Sequence, residues 1–112
     1  MRVLVVEPLK TPYEREIGND LKSMQKVVGG YIEAIYPFED EEIALICNEE
    51  GKLVGLPLNR ALRDENGTIY DVIVGTFFLC RAPMDSETFD SLTDKQMEFC
   101  TKRFEKIELF IN

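Results

Sequence analysis

The run "TIYDVIVGTFFLC", Thr68 to Cys80, carries the strongest strand signal in the chain. Its β-branched and aromatic side chains fit a pleated, packed surface. It is longer than a usual strand of about five or six residues. Gly75 in its middle predicts a bulge or a bend, because a residue without Cβ weakens a strand interior and lets the backbone turn. A chain with this run has to build a sheet.

Other segments fill out that sheet. "RVLVVE", Arg2 to Glu7, is nearly continuous in β-branched residues, as expected of a central strand buried on both faces. Pro8 and Pro12 hold an extended connection, since neither can sit in a central ladder. From Asn19 as N-cap, "DLKSMQKVV" places Leu21, Met24 and Val28 at helical spacing, and Gly29-Gly30 stops the helix. "YIEAIY" follows, so strand, helix and strand read as a crossover unit, right-handed if the two strands are parallel. "EIALIC" is a further strand, the turn "NEEGKL" lets "KLVGL" pair back as a hairpin arm, and "PLNRALRD" fits either a short helical turn or a loop. Near the C-terminus, Thr93 to Gln96 is a capping-box pattern with Leu92 and Met97 as a hydrophobic staple. Met97, Cys100, Phe104 and Ile107 then make an apolar helix face. The expected architecture is a single α+β domain over residues 1–112, with a mixed sheet of four to five strands. A crossover helix and a C-terminal helix packed on the sheet complete it.

Composition narrows the function classes. The chain of 112 residues has a formal net charge of −8 and no histidine. Without imidazole the commonest general base, the usual metal ligand and the familiar nucleophile triads are missing. Cys47, Cys80 and Cys100 are odd in number and set in apolar runs or on an apolar face, so they read as small buried hydrophobes in a reducing compartment. No apolar run reaches the ~18 residues of a membrane span, and the N-terminal "MRVLVVEP" lacks the long apolar region of a signal peptide. A cytoplasmic location is the expectation. No cofactor is implied, and neither "EDEE" nor "DENGTIYD" matches a calcium loop, so no metal site is assigned.

The charge is unevenly placed. Residues 31–50, "YIEAIYPFEDEEIALICNEE", hold Glu33, Glu39, Asp40, Glu41, Glu42, Glu49 and Glu50 with no Lys or Arg, a local net charge of −7. Such a surface repels nucleic acid and anionic membranes and favours a basic protein partner. Solubility and the blunting of a sheet edge are the plainer explanation of the same acids. A second candidate is a small-ligand pocket. Glu7 ends the first strand, where ligands bind in many α/β sheets, and Asn59, Arg60 and Arg63 offer an amide and two guanidiniums suited to carboxylate or phosphate. A third is assembly through the apolar tail "ELFIN", Glu108 to Asn112.

The segments "VLVVEP", "MQKVVGGYIEAIYPF", "NEEGKLVGLPLNRAL" and "IYDVIVGTFF", spread over Arg2 to Leu79, resemble an uncharacterised family of small acidic proteins. Its members are encoded by phages, plasmids and conjugative elements of Gram-positive gut bacteria. Asn48 to Leu62 is the most specific part, and it contains Asn59 and Arg60. The C-terminal helix departs most from the family pattern. The resemblance brings no activity, cofactor or catalytic residue. It implies genetic company in which small acidic proteins include DNA mimics that occupy restriction or other defence proteins. The expected function is therefore a non-enzymatic accessory protein that binds a basic partner through its acidic surface. The alternatives are a ligand sensor or unrecognised enzyme using Glu7, Asn59, Arg60 and Arg63, and a structural subunit.

Overall fold

The computed structural model describes residues 1–110. In chain order the elements are β1 (Arg2–Val6), β2 (Tyr13–Glu16), α1 (Leu21–Val28), β3 (Ile32–Ile35), β4 (Ile43–Asn48), α2 (Gly51–Val54), β5 (Leu58–Arg63), β6 (Ile69–Val74), β7 (Phe77–Arg81) and α3 (Asp94–Phe104). The class is α+β. Five strands form one sheet in the order β2-β1-β7-β4-β3, and β5 and β6 form a separate two-stranded ribbon.

Every pairing is antiparallel, so the sheet is antiparallel where a mixed one was expected. The crossover helix exists but joins different strands. α1 leads from β2 at one edge to β3 at the other, and these two run the same way without being neighbours. The intervening strand is Tyr13–Glu16, a short exposed edge strand whose "YERE" has no apolar alternation to announce it. Charged side chains on an edge strand discourage further pairing.

The long run from Thr68 to Cys80 is two strands in two sheets. Gly75 adopts φ 71°, donates to Pro57 O at 2.7 Å, and stands where the chain leaves the ribbon for the centre of the main sheet. A Cβ at Gly75 would lie 2.7 Å from Leu56 Cδ1. The segments on either side of Gly55 also differ from expectation. "KLVGL" is not a hairpin arm, because Gly51–Val54 closes one helical turn ended by Gly55 at φ 75°. "PLNRALRD" is neither helix nor loop, because Leu58–Arg63 is β5.

Both faces of the main sheet are covered. On one, Leu4, Val6, Leu45, Phe77 and Leu79 pack under Leu62 and Ile73 of the ribbon and Met97, Cys100 and Phe104 of α3. On the other, Val3, Val5, Ala44, Ile46, Phe78 and Cys80 meet Met24 and Val28 of α1. β1 and β7, buried throughout apart from their outer ends, carry the continuous apolar sequence that burial on both faces requires. The α1 N-cap is Asp20, one residue later than the sequence indicates, with its carboxylate accepting from Ser23 N at 2.7 Å. Leu21 is exposed, so the buried stripe of α1 is Met24 and Val28 alone. The α3 capping box forms as expected, with Thr93 Oγ1 accepting from Gln96 N and Gln96 Oε1 from Thr93 N. Ile107 lies past the end of α3 and is exposed. Among the described residues no helix is long and apolar enough to cross a membrane.

Candidate functional site

Asn59 and Arg60 are neighbours on β5, and strand alternation should send them to opposite faces. Instead both are buried. The β5–β6 register shifts between Leu58 and Arg60, so Asn59 occupies a bulge, which re-aims a side chain without ending the strand. Asn59 Nδ2 donates to Val6 O at 2.9 Å and Gly75 O at 2.8 Å, and its Oδ1 accepts from Arg60 Nη1 at 2.8 Å. Arg60 donates further to Phe104 O at 3.0 Å and Lys10 O at 2.7 Å. The two side chains thus join β1, the Pro8–Pro12 connection, the Gly75 turn and the end of α3. A cation at the last carbonyls of a helix also complements its dipole. Burial pulls the Arg60 guanidinium below its ordinary pKa, and the Glu108 carboxylate opposes that.

The other members of the expected ligand pocket are similarly engaged. Arg63 Nη2 meets Glu108 Oε1 at 2.6 Å, and Glu108 Oε2 accepts from Ala61 N at 2.9 Å. Glu7 is half-buried and accepts from Tyr13 OH at 2.7 Å. Burial and this bond to Glu7 raise the Tyr13 phenol above its usual value. The structure joins Asn59 and Arg60 but engages Glu7 with Tyr13 and Arg63 with Glu108, and the donors of Asn59 and Arg60 go to backbone carbonyls and to the bond between the two side chains. A sequence that shows only amide and guanidinium cannot distinguish that arrangement from a ligand site.

The acidic segment behaves differently. All seven of its acids are exposed. Among the described residues none of them forms an ion pair, while Arg2, Lys52, Arg63 and Arg81 pair with acids elsewhere. The seven divide into two groups at opposite ends of the β3–β4 hairpin. Glu39–Glu42 form the turn between the strands. Glu33 and Glu49 line a cavity of about 400 Å³ with Cys47, Asp71 and Lys52, and the Lys52–Asp71 pair already compensates charge there. Glu50 is at the start of α2 and lines neither this cavity nor the groove described below.

The Glu39–Glu42 turn is held from three sides. Phe38 packs edge-on against Phe99, ring centroids 5.1 Å apart, with Arg103 5.8 Å from its centroid. Gln96, whose Oε1 closes the capping box, donates from Nε2 to Glu41 O at 2.8 Å. Ala82 N donates to Glu42 O at 2.7 Å, and Met84 N to Glu42 Oε1 at 2.8 Å. Asp40 and Glu42 take φ 63° and 52°, a left-handed backbone uncommon outside glycine. Glu42 is therefore a structural acid. Glu39, Asp40 and Glu41 have no side-chain partner among the described residues.

Across from this turn stands the loop after β7. It is closed at its neck by reciprocal backbone bonds between Arg81 and Asp90, both 2.9 Å, and by their ion pair at 2.8 Å. Between turn and loop lies a groove of about 1010 Å³, with Phe38, Ile43 and Phe89 beneath and Tyr36, Tyr70 and Met84 at the rim. Tyr36 is 62% exposed, Tyr70 57% and Met84 90%. Glu39, Asp40, Glu42 and Glu87 supply its acids. Of this lining the sequence pointed to Glu39, Asp40 and Glu42, but not to Tyr70 or the 82–89 loop with Glu87. The available signal was "APMDSETFD", a polar loop with an isolated Met between a strong strand and a capped helix.

The cysteines are buried and free, and burial pushes Cys47 up to about 11 and Cys80 and Cys100 up to about 12. They are inert thiols at neutral pH. Among the described residues no group of three or more His, Cys, Asp or Glu is placed to hold a metal ion. Of the tail, Glu108 is anchored to β5 and Leu109 is exposed, while Ile111 and Asn112 lie outside the described residues.

A family model described as a domain of unknown function (DUF3846) matches residues 1–105. No curated protein and no solved structure matches.

Proposed function

The chain belongs to this family of unknown function, so its activity has to be read from its own residues, and we propose that it is a binding module that recognises a basic protein partner through the Glu39–Glu41 turn. The observation that carries this reading is the unpaired state of those carboxylates on a turn fixed by Gln96, Phe38 and Ala82. An acidic surface kept only for solubility needs no fixed geometry. Charge on a rigid support speeds encounter with an oppositely charged partner and sets register. The free, buried thiols fit a reducing compartment. A place among the accessory proteins of phages, plasmids or conjugative elements, where such a surface would occupy a DNA-binding defence protein in place of DNA, fits the same charge.

Capture of partners from a host lysate tests this. The wild type is compared with Glu39→Gln/Asp40→Asn/Glu41→Gln, which spares Glu42 and keeps a residue tolerant of the left-handed backbone at position 40. A charge-matched control neutralises the exposed Glu65, Glu98 and Glu105. A basic protein retained by wild type and control at about 0.15 M salt, and lost by the turn variant, is the expected result. Equal recovery by all three would refute a role for the turn.

A further inference from the structure

The groove beside the acidic turn has a composition that charge alone does not require. Its rim carries two exposed tyrosines and an exposed methionine, and Phe38, Ile43 and Phe89 lie beneath. Exposed aromatic and thioether side chains gathered around a concavity mark a contact site, since scattered apolar residues do not share one. The carboxylates of Glu39, Asp40 and Glu87 line the same groove, and none of them has an ion-pair partner among the described residues.

Resting on the proposed recognition of a basic partner, we infer that this groove takes an extended, arginine-bearing segment of that partner in preference to a lysine-bearing one. An occupant complementary to this lining needs positive charge together with a flat, weakly hydrated face. Guanidinium has both. It stacks on an aromatic ring while its N–H fork meets a carboxylate with two parallel hydrogen bonds, whereas ammonium is a strongly hydrated point charge. Tyr36 and Tyr70 supply the rings, and Glu39, Asp40 and Glu87 the carboxylates. Met84, unbranched and polarizable, covers the aliphatic stem. The volume of about 1010 Å³ is at the upper end of small-ligand sites and suits several residues of peptide.

The test is fluorescence anisotropy with two labelled peptides of equal charge, arginines in one and lysines at the same positions in the other, spaced by serine. An uncharged serine peptide is the reference. The arginine peptide is expected to bind the wild type about tenfold more tightly than the lysine peptide. Tyr36→Ala/Tyr70→Ala removes that preference and leaves weak, salt-sensitive binding of both. Tyr36→Phe/Tyr70→Phe, which keeps the rings, retains it, and both substituted residues are exposed, so the fold is preserved. Equal binding of the two peptides, untouched by the alanine pair, would overturn the inference while leaving recognition by the acidic turn in place. Binding of neither, or binding that survives Glu39→Gln/Asp40→Asn/Glu41→Gln, overturns both. Tighter binding of the serine peptide, or self-association that the alanine pair abolishes, overturns the arginine assignment.

Discussion

Asn59 Oδ1 accepts a hydrogen bond of 2.8 Å from Nη1 of Arg60, the next residue in the chain, and both side chains are inside the protein. Two adjacent strand residues share an interior only because the bulge at Asn59 turns its side chain inward. The pair holds the ribbon to the end of β1 and to α3 through backbone carbonyls.

Asn59→Ala leaves Val6 O, Gly75 O and one guanidinium N–H without their partner. Breaking a buried polar network from one side costs about 3 kcal/mol. The urea midpoint should fall accordingly. Arg60→Lys should not restore stability to the native level, because one ammonium cannot reproduce a planar fork directed at Phe104, Asn59 and Lys10. A midpoint within error of wild type for either variant contradicts the role assigned to the pair.

Gly75→Ala should be destabilised by about 2 kcal/mol, through a left-handed backbone and a Cβ 2.7 Å from Leu56 Cδ1. Leu56 is a flexible side chain, so Leu56→Ala should recover part of the steric component and none of the backbone component. Thermal melts of the two single variants and the double variant separate the contributions.

These two positions also show what the sequence could reveal. Periodicity identified β1, β4 and the α3 capping box, because each rests on local pattern: continuous burial or the Thr93–Gln96 spacing. It could not show that Gly75 divides one apolar run between two sheets, since a bulge and a change of sheet leave the same glycine signal. β2 was hidden because an edge strand exposed on both faces has no apolar period. Glu39, Asp40, Glu42 and Tyr36 of the groove lie in one stretch of chain. Tyr70 and Met84 reach it only through tertiary folding.

Gln96→Ala should lower stability by about 1 kcal/mol through the capping box and should also loosen the acidic turn, whose Glu41 carbonyl Gln96 holds at 2.8 Å. Amide hydrogen exchange reads the second effect. Ala82 and Met84, which donate to Glu42, should lose protection while β1 amides keep theirs. Unchanged exchange at Ala82 and Met84 would show that the turn does not depend on Gln96.

The Glu108 carboxyl is pushed up by burial, but hydrogen bonds from Arg63 and from Ala61 N outweigh this and hold it below its ordinary 4.5. A depressed carboxylate contributes stability that is complete above its unfolded value and is lost as pH falls through its folded value. Glu108→Gln should therefore be less stable than wild type by about 1.5 kcal/mol at neutral pH. The gap should shrink as pH falls below 4.5 toward the depressed folded value. A gap constant across the acid limb would contradict the assignment.

The central claim is that recognition resides in the Glu39–Glu41 turn and its groove, and not in the net charge of the whole chain. The most direct measurement is an amide chemical-shift map of the isotope-labelled protein, titrated with the arginine peptide at about 0.15 M salt. The account predicts shifts concentrated at residues 36–42, at Tyr70 and along 82–89. Shifts spread over all exposed acids, or centred on Glu33 and Glu49 or on Asn59 to Arg63, would contradict it.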